Sequence, residues 1–295
     1  MLLVSGIDAA LAGVIGLLLG SFLNVVIHRL PRMMERQWAE ECAGLADPGA
    51  TGAAGAPTGT GQAPAAAEAP FNLLVPRSRC PGCGHAIRWY ENIPVLSYVV
   101  LRGRCSACRC RISPRYPLVE VATGVLFTYA GWRWGISAQG IAWSGFAAAL
   151  LTLALIDWDT TLLPDDITLP LVWAGLIAAA LGWTAVPLAT ALWGAVAGYL
   201  SLWLVYQGFK LVTGKEGMGY GDFKLFAAMG AWFGWTALVP MILMASVIGA
   251  VVGIAIKFTS GLREGGYVPF GPFLAGAGLT AMVFGPDAIL RVVGL

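Results

Sequence analysis

Four aspartates crowd the segment Ile156-Asp157-Trp158-Asp159 to Pro164-Asp165-Asp166, and a fifth ends Gly219-Tyr220-Gly221-Asp222. Asp157 directly follows the apolar run 147–156, at what reads as the C-terminal end of a helix. The helix dipole there opposes negative charge, so this carboxylate needs a shared proton or a cation. Asp222 follows a Gly-x-Gly step, Gly219 and Gly221, whose missing side chains let an extended substrate strand come close. Two carboxylates delivered by different helices cannot both ionise cheaply, and they hold one proton between them. Such a pair activates water: the ionised member takes its proton while the protonated one polarises a peptide carbonyl. Aspartyl proteolysis is the chemistry this predicts. The other acids have plainer explanations. Asp165 or Asp166, after Pro164, reads as a helix N-cap, and Asp159 as a solvated turn residue.

A second constellation is Cys80-x2-Cys83 and Cys105-x2-Cys108, with 21 residues between the pairs. Two such knuckles fit a tetrahedral thiolate site for zinc. Four thiolates leave no open position, so the expected ion is structural. Pro81-Gly82 and Gly84 supply the tight turn. A pair of disulfides would need an oxidising compartment. Cys42 and Cys110 are surplus; Cys110 either exchanges with Cys108 or stays a free thiol. His85 reads as a turn residue rather than a ligand, because four cysteines already fill the site.

These groups must be positioned by membrane helices. Of 295 residues, 58% are hydrophobic and 12% charged, about half the charge of an ordinary soluble domain. A cytosolic globule could not hide that much apolar surface, and a net charge of +2 argues no nucleic-acid partner. Apolar runs near 7–27, 118–136, 138–157, 168–184, 187–209, 222–237, 238–257 and 271–291 predict about eight transmembrane helices. The fold class is thus an all-α polytopic membrane protein. The break between the sixth and seventh runs is weak, resting on Trp232-Phe233-Gly234-Trp235 alone.

No basic residue precedes Arg29, so the first run is expected to be a helix rather than a cleaved signal. The charge asymmetry orients it with its N-terminus outside. Eleven of the 18 Lys and Arg fall in 28–117, and Lys210, Lys215, Lys224, Lys257 and Arg263 bring the inside total to 16. Both termini are expected on the outer side. The expected organisation is a first helix at 7–27, a cytosolic loop at 28–117, and a seven-helix membrane domain at 118–295. Within the loop, 43–70 is nearly all Ala, Gly, Pro and Thr and reads as a disordered insert, leaving a zinc-knuckle unit at 71–117.

Several motifs together resemble bacterial type IV prepilin peptidases, intramembrane aspartyl proteases of the Gly-x-Gly-Asp type that are also N-methyltransferases. They are Gly20-Ser21-Phe22-Leu23-Asn24 to Pro31, the four cysteines, Trp89 to Tyr98 with Leu101-Arg102-Gly103-Arg104, and Ile112 to Glu120. Ile156-Asp157 to Leu163-Pro164-Asp165 and Gly219-x-Gly221-Asp222-x-Lys224 complete the set. The resemblance implies cleavage of the basic leader of prepilins or type II secretion pseudopilins after Gly, at the cytosolic face of the bacterial inner membrane. It implies methylation of the new amine from S-adenosylmethionine. It further implies that Asp157 and Asp222 are catalytic, that Asp165 is support, and that Gly103-Arg104 is associated with methylation. Segment 71–117 is too short for a Rossmann unit, so the donor site has no familiar fold. The insert at 43–70 departs from the family.

Charge placement suggests that Asp159, Asp165, Asp166 and Glu216 receive the basic leader. Lys224 lies two residues from Asp222, off its helix face, and is expected to hold a phosphate headgroup or to reach the interface. Asn24 and Glu120 read as interhelical hydrogen-bonding groups. Two rivals remain: a presenilin-like protease, which would want a Pro-Ala-Leu motif absent from 271–291, and a cation transporter with a structural zinc.

Overall fold

A computed structural model describes residues 2–46, 71–259 and 268–293. The described residues form helices and no strands, with only isolated bridges. The helices are α1 (Leu2–Ala46), α2 (Leu96–Val100), α3 (Arg115–Trp134), α4 (Ala138–Thr160) and α5 (Asp165–Ala180). They continue as α6 (Leu188–Thr213), α7 (Tyr220–Phe233), α8 (Leu238–Thr259), α9 (Gly271–Phe284) and α10 (Pro286–Val293). Helices stand over the first seven apolar runs, while the eighth, 271–291, is divided at Gly285 (φ 81°) into α9 and α10. Four spans, Gly6–Leu45, Ala138–Thr160, Leu188–Thr213 and Trp235–Phe258, are long and apolar enough to cross a membrane. The expected break at Gly234 is real: its φ of 81° leaves the helical region and its N–H closes on Gly230 O at 2.8 Å.

The first helix does not stop at 27. Residues 33–43 are mostly strong helix formers, and Pro31 removes one backbone bond without ending the helix. Its span Gly6–Leu45 is 40 residues long, about 60 Å, twice the hydrocarbon thickness, so half of it projects beyond the bilayer. Residues 43–46 are therefore helical, not part of a disordered insert. The remainder of that expected insert, 47–70, lies outside the described residues.

Small residues draw the membrane helices together, as apolar solvent supplies no hydrophobic push between them. On α6 and α7, Gly194 and Gly230 lie backbone against backbone, and Gly198 faces the Phe226 carbonyl. Gly175 of α5 makes room for Trp232, whose Nε1 donates to Leu171 O at 3.0 Å. Phe146, Leu150, Leu153, Phe223, Met229, Trp232 and Leu274 are fully buried in the resulting core. A second cluster, Val26, Ile27, Leu30, Val119 and Ile156, joins α1, α3 and α4, with Leu73 packed against it.

Candidate active site and metal centre

Asp157 occupies the last turn of α4, which ends in a left-handed cap at Thr161 (φ 56°). Asp222 occupies the first turn of α7, after Gly219 in extended conformation. Both are buried, at 5% and 7% exposure, and Asp222 feels the charge of Asp157. Asp157 Oδ2 and Asp222 Oδ1 have no hydrogen-bond partner. A buried polar atom without a partner costs about 1–3 kcal/mol, more when charged, so these two are costly unless a ligand uses them.

Leu163 closes the site from the α4–α5 connection. A Cβ on Gly221 would stand 2.5 Å from Leu163 Cβ, so the bare backbone of Gly221 accommodates Leu163 rather than an incoming strand. Gly219 is exposed, and a Cβ there would meet only Asp222 Oδ2, at 3.7 Å. The substrate-approach role expected of both glycines thus fits Gly219 alone. Gly271, at the start of α9, escaped the sequence reading. A Cβ there would lie 2.5 Å from Asp157 Oδ2, so only a bare backbone leaves room for that carboxylate. The only local signal was Gly271-Pro272, which marks a helix start and not a site.

The remaining acids are mostly paired. Lys224 Nζ donates to both oxygens of Asp165, at 2.7 and 2.6 Å. Asp165 is therefore no N-cap; Pro164 holds that position, and no side chain caps α5. Nor is Lys224 free for a headgroup, because one turn of α7 brings it over the start of α5. Arg115 holds Asp159 at 2.6 Å, and Lys210 holds Glu216 at 2.8 Å. The Lys210 ammonium keeps the Glu216 carboxyl below its usual range. Of the acids expected to receive a leader, Asp166 is exposed and has no ion pair among the described residues.

Cys80, Cys83, Cys105 and Cys108 bring their sulfurs within 4.8 Å of one another. The Cys80–Cys108 and Cys83–Cys105 separations are 3.8 and 4.0 Å. Four sulfurs about 2.3 Å from a tetrahedral zinc stand about 3.8 Å apart, so the set fits that ion. Two backbone turns related by 25 residues build it. Cys80 N bonds His85 O at 2.9 Å and Cys105 N bonds Cys110 O at 2.9 Å, flanked by the bridges Arg79–Ala86 and Arg104–Arg111. Gly84 and Arg109 hold the matching left-handed positions, φ 72° and 58°. Hydrogen bonds from Cys110 and the Gly82 and Cys83 backbone draw the Cys80 thiol down to about 6, toward the thiolate that binds metal. Cys110 Sγ lies 3.3 Å from Cys80 Sγ, outside the set of four. His85 is turned away to Glu91, 3.2 Å distant.

The cysteine unit is fastened to the membrane helices by polar contacts. Buried Arg29 donates to the carbonyls of Asn72 (2.9 Å) and Pro76 (2.6 Å). Glu120 accepts from Val95 N at 2.7 Å, and Asn24 Nδ2 donates to Tyr116 O at 3.1 Å. Gly103, buried with φ 66°, lies under the Tyr98 ring, where a Cβ would approach to 2.9 Å. Its neighbour Arg104 is exposed.

Residues 14–134 match the family described as Bacterial Peptidase A24 N-terminal domain, and 144–254 the Type IV leader peptidase family. The prepilin leader peptidase/N-methyltransferase of Stutzerimonas stutzeri is 51% identical over 272 residues, 92% of this chain and 89% of that protein. The protein of the same name from Pseudomonas aeruginosa is 50% identical over 277 residues (94% and 90%), and one from Burkholderia pseudomallei 49% over 290 (98% and 90%). No solved structure matches the chain significantly.

Proposed function

The chain belongs to the type IV leader peptidase family, and from that premise we propose that it removes the basic leader of type IV prepilins or secretion pseudopilins and N-methylates the new N-terminus. Membership separates it from the presenilin-like and transporter readings. The observation that carries the peptidase assignment is the pair of buried carboxylates, one from each of two helix ends, each with an unpartnered oxygen.

Asp157 and Asp222 hold one proton between them. The ionised carboxylate takes a proton from water as that water attacks the scissile carbonyl, and the protonated one donates to the carbonyl oxygen. The first then returns its proton to the leaving nitrogen. Gly219 gives an extended peptide access, while the bare backbone of Gly271 leaves room for the Asp157 carboxylate. Burial excludes bulk water from both carboxylates. The chain is an inner-membrane protein with the site and the cysteine unit on the cytosolic side and both termini outside. Incubating purified protein with a prepilin and methyl-labelled S-adenosylmethionine tests the two activities separately. Uncleaved prepilin in the presence of folded enzyme would count against the assignment.

Cys80, Cys83, Cys105 and Cys108 would hold a zinc ion that fixes the two turns and does no chemistry. Cys83→Ser is expected to reduce bound zinc from one ion per chain to well below half, and to cost methylation more than cleavage. Metal analysis with both assays checks this.

Lys224 is a positioning residue that sets the start of α7 against α5. Its ion pair is partly exposed, so Lys224→Met should change stability by no more than about 1 kcal/mol. Cleavage should slow by about tenfold, because looser placement of Asp222 weakens alignment with the attacking water. Parallel thermal unfolding and kcat measurements distinguish this from simple destabilisation.

A further inference from the structure

Leu163, in the connection between α4 and α5, stands between the backbones that flank the two carboxylates. A Cβ built on Gly221, the residue before Asp222, would lie 3.2 Å from Leu163 Cδ1, and one built on Gly271, beside Asp157, would lie 3.3 Å from the same atom. One methyl group thus bridges the chain segments that present the acids. We propose that Leu163 sets the specificity of the cut: it bars a side chain on the residue that carries the scissile carbonyl, so that only glycine is accepted there. The inference rests on the peptidase half of the proposed function.

Three observations carry it. The first is proximity. A carbonyl polarised by these acids comes within hydrogen-bond reach of them, about 3 Å. The side chain nearest that carbonyl carbon is the one on its own residue, so it is the first to meet the walls of the site. The point on Gly271 that lies 3.3 Å from Leu163 Cδ1 is also 2.5 Å from Asp157 Oδ2, which puts the leucine methyl beside this carboxylate. The second observation is asymmetry. Gly219 is exposed, and a Cβ there would meet only Asp222 Oδ2, at 3.7 Å. The site is open where a peptide enters past Gly219 and walled where Leu163 stands.

The third observation is that Leu163 cannot withdraw. On one side Thr161, in left-handed conformation (φ 56°), ends α4 with its amide on Asp157 O at 2.8 Å. On the other, buried Pro164 is the N-cap of α5, and its carbonyl accepts from the Ile167 and Thr168 amides at 3.1 and 3.0 Å. Asp165, two residues on, is gripped by Lys224 of α7. Retreat toward α7 is blocked by Gly221, where a Cβ would already stand 2.5 Å from Leu163 Cβ. The side chain itself packs against the main core. A loose loop would yield to a substrate methyl group, but a residue pinned at both ends does not. One carbon in a tight pocket is worth about 10- to 200-fold in specificity. The glycine expected before the cut thus has a physical cause in this chain.

The test gives the full-length protein in nanodiscs two prepilins that differ only in Gly or Ala before the cut, and measures kcat/KM for each. The parent should favour the Gly prepilin by at least about tenfold, the lower end for one carbon in a tight pocket. Leu163→Ala should reduce that preference by at least about tenfold, by gaining on the Ala prepilin. Leu163→Val, one methylene smaller, should move the ratio the same way by less, and it repeats the test with little change in packing. A residue that only packs would slow both prepilins alike, so an unchanged ratio in both variants overturns the proposal. A parent that cuts the two prepilins equally well overturns it too, and leaves the peptidase reading standing. If the folded parent cuts neither, the peptidase reading falls and takes the role of Leu163 with it.

Discussion

Asp222→Asn is expected to lower leader cleavage by at least about 10³-fold, the upper range for loss of a positioned acid or base, without lowering stability. The substitution preserves shape, so helix packing around α7 is undisturbed. It also replaces a buried carboxylate whose Oδ1 has no partner with a neutral amide. Removing an uncompensated buried charge relieves a cost, so the unfolding temperature should hold or rise. This combination, activity lost while stability is kept or gained, marks a group retained for chemistry. Asp157→Asn should behave alike, since each carboxylate needs the other. Methylation of a synthetic peptide that already lacks its leader should persist in both. Mass spectrometry of a prepilin incubated with each variant measures the effect, and cleavage within tenfold of the parent would remove the pair from the mechanism.

Gly271→Ala is the second large effect. The added methyl would lie 2.5 Å from Asp157 Oδ2, 3.1 Å from its Cγ and 3.3 Å from Leu163 Cδ1. No carbon sits that close to a carboxylate oxygen, so Asp157 must move by several tenths of an ångström or more. Misplacement on the scale of 1 Å costs about 10²-fold in rate, and that is the loss expected in kcat. Gly276→Ala supplies the matched control. It lies on the same helix, and a Cβ there meets nothing within 4 Å. Its expected result is unchanged cleavage and a gain of up to about 1 kcal/mol from helix propensity. Equal losses in both variants would trace the effect to α9 as a whole.

The placement of the candidate groups was legible where local pattern determines it. The cysteine spacing announces two knuckles because each pair is one tight turn, and the sulfurs do converge. An aspartate at the unfavourable end of an apolar helix announces itself through the dipole, and Asp157 is buried there. What stayed hidden depends on partners distant in sequence. Asp165 reads as a cap from its neighbours alone, whereas its true partner Lys224 is 59 residues away. Gly271 carries no charge and no periodicity, and its role exists only because α9 packs against α4. The length of α1 was missed because hydropathy reports where the apolar run ends. The helix itself continues on propensity through charged residues that project from the membrane.

The meeting of Gly194 and Gly230 bears on how firmly the second carboxylate is held. Most helix contacts are cushioned by side chains, which can change rotamer as lipid or temperature changes. Here the carbonyl oxygen of each glycine faces the bare Cα of the other across the α6–α7 contact, with no side chain between. Asp222 precedes Gly230 by eight residues, about 12 Å along α7. One of its coordinates is thus referred to a bare backbone stop rather than to a soft core. The helix can pivot about that stop but cannot draw closer, which confines the motion of its Asp222 end to swinging across the site.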